Sequence, residues 1–409
     1  MTALTTAFLL TTLSGAASAS TSHHGGYRPP SPQMTARDHR RMAASTGMFA
    51  DLAGFGWART AVRYVAGAHD YMANYPANPD GSYDFHPAAM ENKIRFARAV
   101  VLAFAPDVAM DPSITFTDVA AGSPAYRFAN VAVQQGWLTT SGNAFGPTDR
   151  VTPIVVHRAL VLALGLQTAA TALDNLHTST GHEFNTPADF GTTLLGMRLG
   201  LRYNSWVDES KDVGPTTPLN RAQVAYSLWR AATEPPLAAA HLAAEYDTIE
   251  LPPLSPAVTR VVQFGIQYVG YPYVWGGEWG KSSPEPQALG AQPIAGFDCS
   301  GFAWWLLRAN APSIGWRVRP PRPYPGWALP QRWTFDMATV GHHVRWNQLQ
   351  PGNLVLYNEG GAIGHTDVYL GNGWALDSSA GVSGVTIMWI GTGWYRNHFA
   401  WGRRIIPAQ

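Results

Sequence analysis

Cys299 is the one cysteine among 409 residues, and it stands where a nucleophile would be useful. The run Phe297-Asp298-Cys299-Ser300-Gly301-Phe302 opens a segment that reads as a helix as far as Pro312. Asp298 holds the N-cap position, which puts Cys299 in the first turn, with Phe302, Trp305, Leu306 and Ala309 forming one buried face. At a helix start, unpaired backbone N–H groups and the positive end of the dipole stabilise a thiolate, the form of cysteine that attacks a carbonyl. The same N–H groups can hold the oxyanion of a tetrahedral intermediate, an effect often worth ~3 kcal/mol. A lone cysteine is more often a small buried hydrophobe; here its position at a helix tip favours a reactive thiol.

A cysteine nucleophile needs a base within hydrogen-bond reach. Of the thirteen histidines, His365 has the most informative surroundings. A Pro351-Gly352 turn leads into the apolar strand Asn353-Leu354-Val355-Leu356-Tyr357, followed by Gly364-His365-Thr366-Asp367-Val368-Tyr369-Leu370, then Gly371-Asn372-Gly373, then Trp374-Ala375-Leu376-Asp377. Two extended runs about an Asn-Gly turn form a hairpin. A three-residue loop sets Asp377 across from Asp367 and on the face of His365, where it can orient the imidazole. A two-residue loop flips the parity and makes Asp367 the better orienter. His342-His343 has no cysteine or acidic residue at ligand spacing, so no metal site is expected, and the chemistry calls for no organic cofactor.

Across about 255–407 the sequence resembles the NlpC-type cell-wall cysteine peptidases, relatives of papain. The matching stretches are Tyr271-Pro272-Tyr273-Val274-Trp275-Gly276-Gly277, the Asp298-Cys299-Ser300-Gly301 core, Leu349-Gln350-Pro351-Gly352-Asn353-Leu354-Val355, and Gly364-His365 with Tyr369-Leu370-Gly371-Asn372-Gly373. The resemblance implies hydrolysis of an amide in the peptidoglycan stem peptide, commonly between D-glutamate and diaminopimelate. Cys299 then matches the nucleophile, His365 the base, and Asp377 the third polar residue, a position where the family usually has His, Asn or Gln. Tyr273, Asp298 and Ser300 are implied to meet substrate or the oxyanion. The insert 282–295 and the stretch 317–333 depart from the family pattern.

These parts need elements to position them, and the chain is long enough for two folded units. Only 13% of residues are charged, the formal net charge is +1, and no basic run could track a phosphate backbone, so nucleic acid is excluded as a partner. Residues 1–19 end Ala17-Ser18-Ala19 and read as a cleaved export signal, which places the protein outside the cell, at the wall. No later run is long and apolar enough to span a bilayer. Residues 20–50 read as a flexible leader. From 51 to 243 the pattern is helical and a motif recurs: Phe116-Thr117-Asp118-Val119, then Tyr126, Ala129 and Gly136-Trp137, then Phe145 and Pro147 before a helix. Phe85 and Pro87 before Lys93 give a looser copy, and Leu219-Asn220-Arg221-Ala222-Gln223 ends a third. These resemble S-layer homology repeats, which implies wall-polysaccharide binding with Arg221 as the surviving basic residue. Residues 244–256 form a proline-dense linker.

The expected architecture is therefore multidomain: an α-helical repeat domain, then an α+β papain-like domain at 257–409 with a helix packed on an antiparallel sheet. The expected function is a secreted cysteine peptidase acting on peptidoglycan. A catalytically inactive wall-binding protein, or an amidase or acyltransferase of the same fold, are the alternatives.

Overall fold

The computed structural model describes residues 28–29, 31–45, 47–72, 76–205, 208–287, 290–292, 294–308, 329 and 331–406. The export signal expected at 1–19 lies outside them. The leader expected to be flexible contains a helix, α1 (Ala36–Ala44), closed by a capping box in which Thr35 and Asp38 satisfy each other's backbone N–H groups. Composition hid it, because the Gly/Pro/Ser/His bias ends at Pro32 and the cap lies beyond.

The helical half continues with α2 (Arg59–Val62), α3 (Lys93–Phe104), α4 (Pro124–Gln134), α5 (Pro153–Ala163), α6 (Gln167–Asp174), α7 (Phe190–Arg198), α8 (Arg221–Ala232) and α9 (Pro236–Tyr246). Helices α3, α5 and α8 touch one another, and their entry segments close a ring of backbone hydrogen bonds. Glu91 N donates to the Leu219 carbonyl, Leu219 N to Val151, and Val151 N back to Glu91. A second feature recurs as well. Asp118 accepts from the backbone N–H groups of Phe145 and Gly146, and Asp51 accepts from those of Phe85 and His86 in the same way. The repeated motif therefore has a physical content: an aspartate ties the loop ahead of each of these two entry segments. The segment Leu219-Asn220-Arg221-Ala222-Gln223 is a capping box for α8, Asn220 and Gln223 exchanging hydrogen bonds.

The C-terminal half begins with α10 (Pro256–Gly265), capped by Ser255. Two short pairs follow, β1 (Glu278–Trp279) with β4 (Gly296–Phe297), and β2 (Ser283–Gln287) with β3 (Gly290–Gln292). Next come α11 (Cys299–Leu307), α12 (Thr334–Met337), β5 (His342–Val344), β6 (Leu354–Glu359), β7 (Ala362–Gly371), β8 (Trp374–Ser379), β9 (Gly384–Trp389), α13 (Gly393–His398) and β10 (Phe399–Arg404). The six-stranded antiparallel sheet has the order β5-β10-β6-β7-β8-β9. The insert at 282–295 thus supplies the β2–β3 pair, while most of the stretch 317–333 lies outside the described residues. Helix α11 was expected to bury one face. Every one of its residues is buried instead, because it packs against β1, β4, β7, β8 and α10.

The proline-dense segment is not a free tether. Helix α9 runs on to Tyr246, whose hydroxyl donates to the Ile387 carbonyl of β9 at 2.5 Å, and Leu251 is fully buried with its N–H on the His177 carbonyl. The halves are welded elsewhere too. The Arg202 guanidinium reaches from the helical half to the carbonyls of Gly270 (2.5 Å) and Ser383, and Asn204 Nδ2 donates to Ala380 O at 3.3 Å. A single apolar cluster spans both halves, so they do not form separate cores. Among the described residues no helix is long and apolar enough to cross a membrane.

This weld carries a built-in cost. Asp212 is 3% exposed, and one of its oxygens has no hydrogen-bond partner. Burial pushes its carboxyl up to about 7, while the Ser205 N–H and Arg202 pull the other way. Because an unfolded aspartate titrates near ~3.9, the folded carboxylate costs stability at neutral and alkaline pH, and the cost shrinks as pH falls from about 7 towards 4. Asp212→Asn is expected to raise Tm by about 4 °C or more at pH 8 and to change it little at pH 4, measured by calorimetry. A lower Tm at pH 8 would show that the charge is needed.

Candidate active site

Asp298 caps α11 as expected, its Oδ1 accepting from Gly301 N at 2.6 Å. Its other oxygen accepts from Gly276 N at 2.9 Å and pairs with Arg332 at 3.0 Å. Arg332 is the pivot here. It is 8% exposed, forms an ion pair with Glu278, donates to Ser300 Oγ at 2.8 Å, and reaches the Gly277 carbonyl at 3.2 Å. Burial works against its charge, but Asp298 and Glu278 outweigh it and hold the guanidinium more firmly protonated than usual. Asp298 and Ser300, expected to meet substrate or the oxyanion, are thus occupied in building the helix tip. Their side-chain oxygens are already engaged: Ser300 Oγ by Arg332 and Asp298, and the Asp298 carboxylate by Arg332 and the N–H groups of Gly276 and Gly301.

Cys299 is 7% exposed. Its Sγ lies 3.9 Å from the Thr334 hydroxyl, which donates or accepts there, and 3.9 Å from the Gly364 carbonyl, the residue before His365. The first turn of α11 therefore abuts β7 where the histidine emerges. Tyr273 lies beside this point, 8% exposed. Burial keeps its phenol protonated well above the usual range, and the nearby charges of Cys299, Asp298, Glu209 and Glu359 add to that. Its hydroxyl is therefore a donor at neutral pH. Trp275, 53% exposed, donates its backbone N–H to Glu209 of the helical half at 2.5 Å.

His365 pairs across from Tyr357 of β6, and Asp367 from Val355. The hairpin that brings Asp377 to them uses the two-residue Asn372-Gly373 loop, both residues at positive φ (50° and 85°), closed by the Gly371–Trp374 pair. A two-residue loop was expected to turn Asp377 away from His365. It does not, because a bulge between Tyr369 and Gly371 adds one residue and restores the parity: Tyr369 pairs with Ala375 and Val368 with Leu376, a register that carried one step further sets Asp377 beside Asp367. Both aspartates thus reach the imidazole. His365 Nε2 lies 3.1 Å from Asp367 Oδ1 and 3.0 Å from Asp377 Oδ1.

Two tyrosines that the sequence did not single out lock this arrangement. Tyr357 OH donates to Asp367 Oδ2 at 2.7 Å, and Tyr395 OH, from α13, donates to Asp377 Oδ2 at 2.7 Å. Tyr357 had a signal, since it faces His365 across the ladder; Tyr395 had none. Burial disfavours a charged imidazole, yet Asp377, Asp367 and Cys299 together raise the His365 pKa well above its usual value. Burial and the Asp377 charge push the Asp367 carboxyl up to about 7.

Arg221, expected to face glycan, is turned inward. It is 1% exposed, pairs with Glu91 at 2.9 Å, and donates to the carbonyls of Phe85 and Met72. A guanidinium spent on internal acceptors has no fork left for a sugar or phosphate. His342 and His343 are exposed on the edge strand β5.

The profile of the NlpC/P60 family matches residues 270–404. Residues 270–404 form an NlpC/P60 domain. The peptidoglycan endopeptidase RipB of Mycobacterium tuberculosis is 32% identical over 130 residues, 32% of this chain and 46% of that protein. The γ-D-glutamyl-L-lysine dipeptidyl-peptidase of Bacillus subtilis is 32% identical over 121 residues, 29% of this chain and 31% of that one. The solved structure of RipB is 25% identical, covering 37% of this chain and 66% of that one with a TM-score of 0.28. The chain spans less than half the length of these two curated relatives. The NlpC/P60 domain thus contains Cys299, His365, Asp367 and Asp377, whereas the helical half lies outside the match.

Two carboxylates on one imidazole make a specific prediction. Asp367→Asn and Asp377→Asn are each expected to retain part of the activity, while the double variant loses about 10²–10⁴-fold in kcat. In each single variant the alkaline limb of the kcat/KM profile moves to lower pH, because one of the charges holding the proton on His365 is gone. A profile unmoved in both singles would show that neither aspartate acts on the ring.

Proposed function

We propose that this protein is a cysteine peptidase of the bacterial wall that cleaves an amide of the peptidoglycan stem peptide, of the D-glutamyl-diaminopimelate type. The observation that carries the reading is the meeting of Cys299 Sγ, at the tip of α11, with β7 at Gly364, one residue before an imidazole backed by two buried aspartates. The aspartates occupy the Nε2 side of the ring, which leaves Nδ1 to exchange a proton with the thiol. His365 takes the proton from Cys299, and the thiolate attacks the amide carbon. The imidazolium then delivers that proton to the leaving amine, so a thioester forms as the C–N bond breaks. Water, deprotonated by the same histidine, hydrolyses the thioester and returns the free thiol. Tyr273, held protonated beside the sulfur, donates to the developing oxyanion.

The helical half enters this reading chiefly as a wall of the cleft, since Glu209 holds the backbone beside Trp275. Its three-membered ring of entry segments supports a repeat origin of the kind the S-layer homology resemblance implies, and a wall-anchoring role is part of the proposal. Purified muropeptides incubated with the protein and weighed by mass spectrometry test the reaction. Fragments separated at the D-glutamyl bond are expected. Intact muropeptides that nevertheless co-sediment with the protein would point to the inactive wall-binder instead.

A further inference from the structure

His365, Asp367 and Asp377 also satisfy the requirements of a site for a divalent cation. One atom from each, Nε2 and the two Oδ1, lies within 4.8 Å of the others. The three side chains are 7%, 0% and 0% exposed. None of these three atoms has a hydrogen-bond partner of acceptable geometry, although N and O are about a contact distance apart. The oxygens flank the ring nitrogen and do not lie along its N–H direction, as a hydrogen bond requires. The remaining carboxylate oxygens are fixed by Tyr357 and Tyr395, and such outer partners orient ligating carboxylates. Among the described residues, no lysine or arginine forms an ion pair with either aspartate. Two ionised carboxylates carry more negative charge than the single imidazolium between them neutralises.

We propose that His365 Nε2, Asp367 Oδ1 and Asp377 Oδ1 bind one divalent cation of the Zn²⁺ type, and that binding switches the peptidase off. Zn²⁺ takes nitrogen and carboxylate ligands at about 2.0–2.2 Å in a tetrahedron, whose edges are then ~3.3 Å. The present separations of 3.0 and 3.1 Å need to open by only a few tenths of an ångström. Ca²⁺ and Mg²⁺ are poorer fits, since both favour six or more oxygen ligands over an imidazole. With Nε2 on the metal, the ring proton sits on Nδ1, facing the thiol, and His365 can no longer accept the proton of Cys299. The inhibitory half of this inference rests on the proposed peptidase reading; the binding half does not.

The full-length Cys299→Ala protein separates the two, since it removes the thiol as a competing ligand. Titrated with Co²⁺ and with Zn²⁺, it is expected to bind one ion, with the visible bands of tetrahedral Co²⁺ and no sulfur charge-transfer band. Adding Asp367→Asn is expected to weaken binding about tenfold or more. Circular dichroism checks the fold of each variant, and Asp377→Asn serves where Asp367→Asn does not fold. No binding to Cys299→Ala, or binding indifferent to the aspartate change, overturns the proposal. In the wild type, Zn²⁺ is expected to stop muropeptide cleavage and a chelator to restore it. Cleavage that persists at a Zn²⁺ concentration saturating the site would overturn the switch while leaving the peptidase reading intact.

Discussion

Arg332→Met is expected to destabilise the protein by about 3–5 kcal/mol, because it leaves two buried carboxylates, Glu278 and Asp298, without their cation. Tm falls by roughly 10 °C on that estimate. The damage is also local. Without the guanidinium, Ser300 loses a donor and the α11 cap loses the group that holds Asp298 against Gly276 and Gly301. Activity is therefore expected to fall further than the lost stability explains at temperatures where the variant remains folded. Urea melts of Arg332→Met and of Arg332→Met/Glu278→Gln check the mechanism: the second change recovers part of the loss by removing an unpaired charge. Equal melts for wild type and Arg332→Met would show that the pairing does not matter.

Cys299→Ala is expected to reduce muropeptide cleavage by about 10⁴-fold or more, since nucleophile and base act as a unit. Its stability should stay within about 1 kcal/mol of wild type, because the change removes one sulfur atom from a site bordered by the Thr334 hydroxyl and the Gly364 carbonyl. Alkylation of the wild-type thiol provides a readout that needs no substrate. Iodoacetamide at neutral pH is expected to label Cys299 quickly, and much more slowly in His365→Ala. An equally slow thiol in both proteins would remove the case for a His365-activated nucleophile and favour a domain that only recognises the wall.

How much of this was legible depends on the range of the interactions. The cap of α11, the hairpin about Asn372-Gly373 and the motifs that carry Cys299 and His365 are signalled by neighbouring residues, and they were readable. Arg332 was not, because it lies at the end of a Pro/Arg/Trp-rich stretch and its partners sit 32 to 55 positions away in the chain. Arg221 shows the opposite error. Its motif was read as a glycan contact, yet locally the motif is a capping box, and the guanidinium spans 130 positions to reach Glu91.

By itself the sequence singled out Cys299 and His365 as candidates and determined which local elements present them, since helix caps, turns and strand alternation are short-range consequences of side-chain type. Only the tertiary structure decided which carboxylate serves His365. A one-residue bulge reversed the parity that loop length alone dictates, and Asp367 and Asp377 both arrived. It also decided that the two halves on either side of the proline-dense segment share one apolar cluster and are tied by Arg202 and Tyr246. Such outcomes depend on which distant surfaces pack together, and no window of neighbouring residues contains that information.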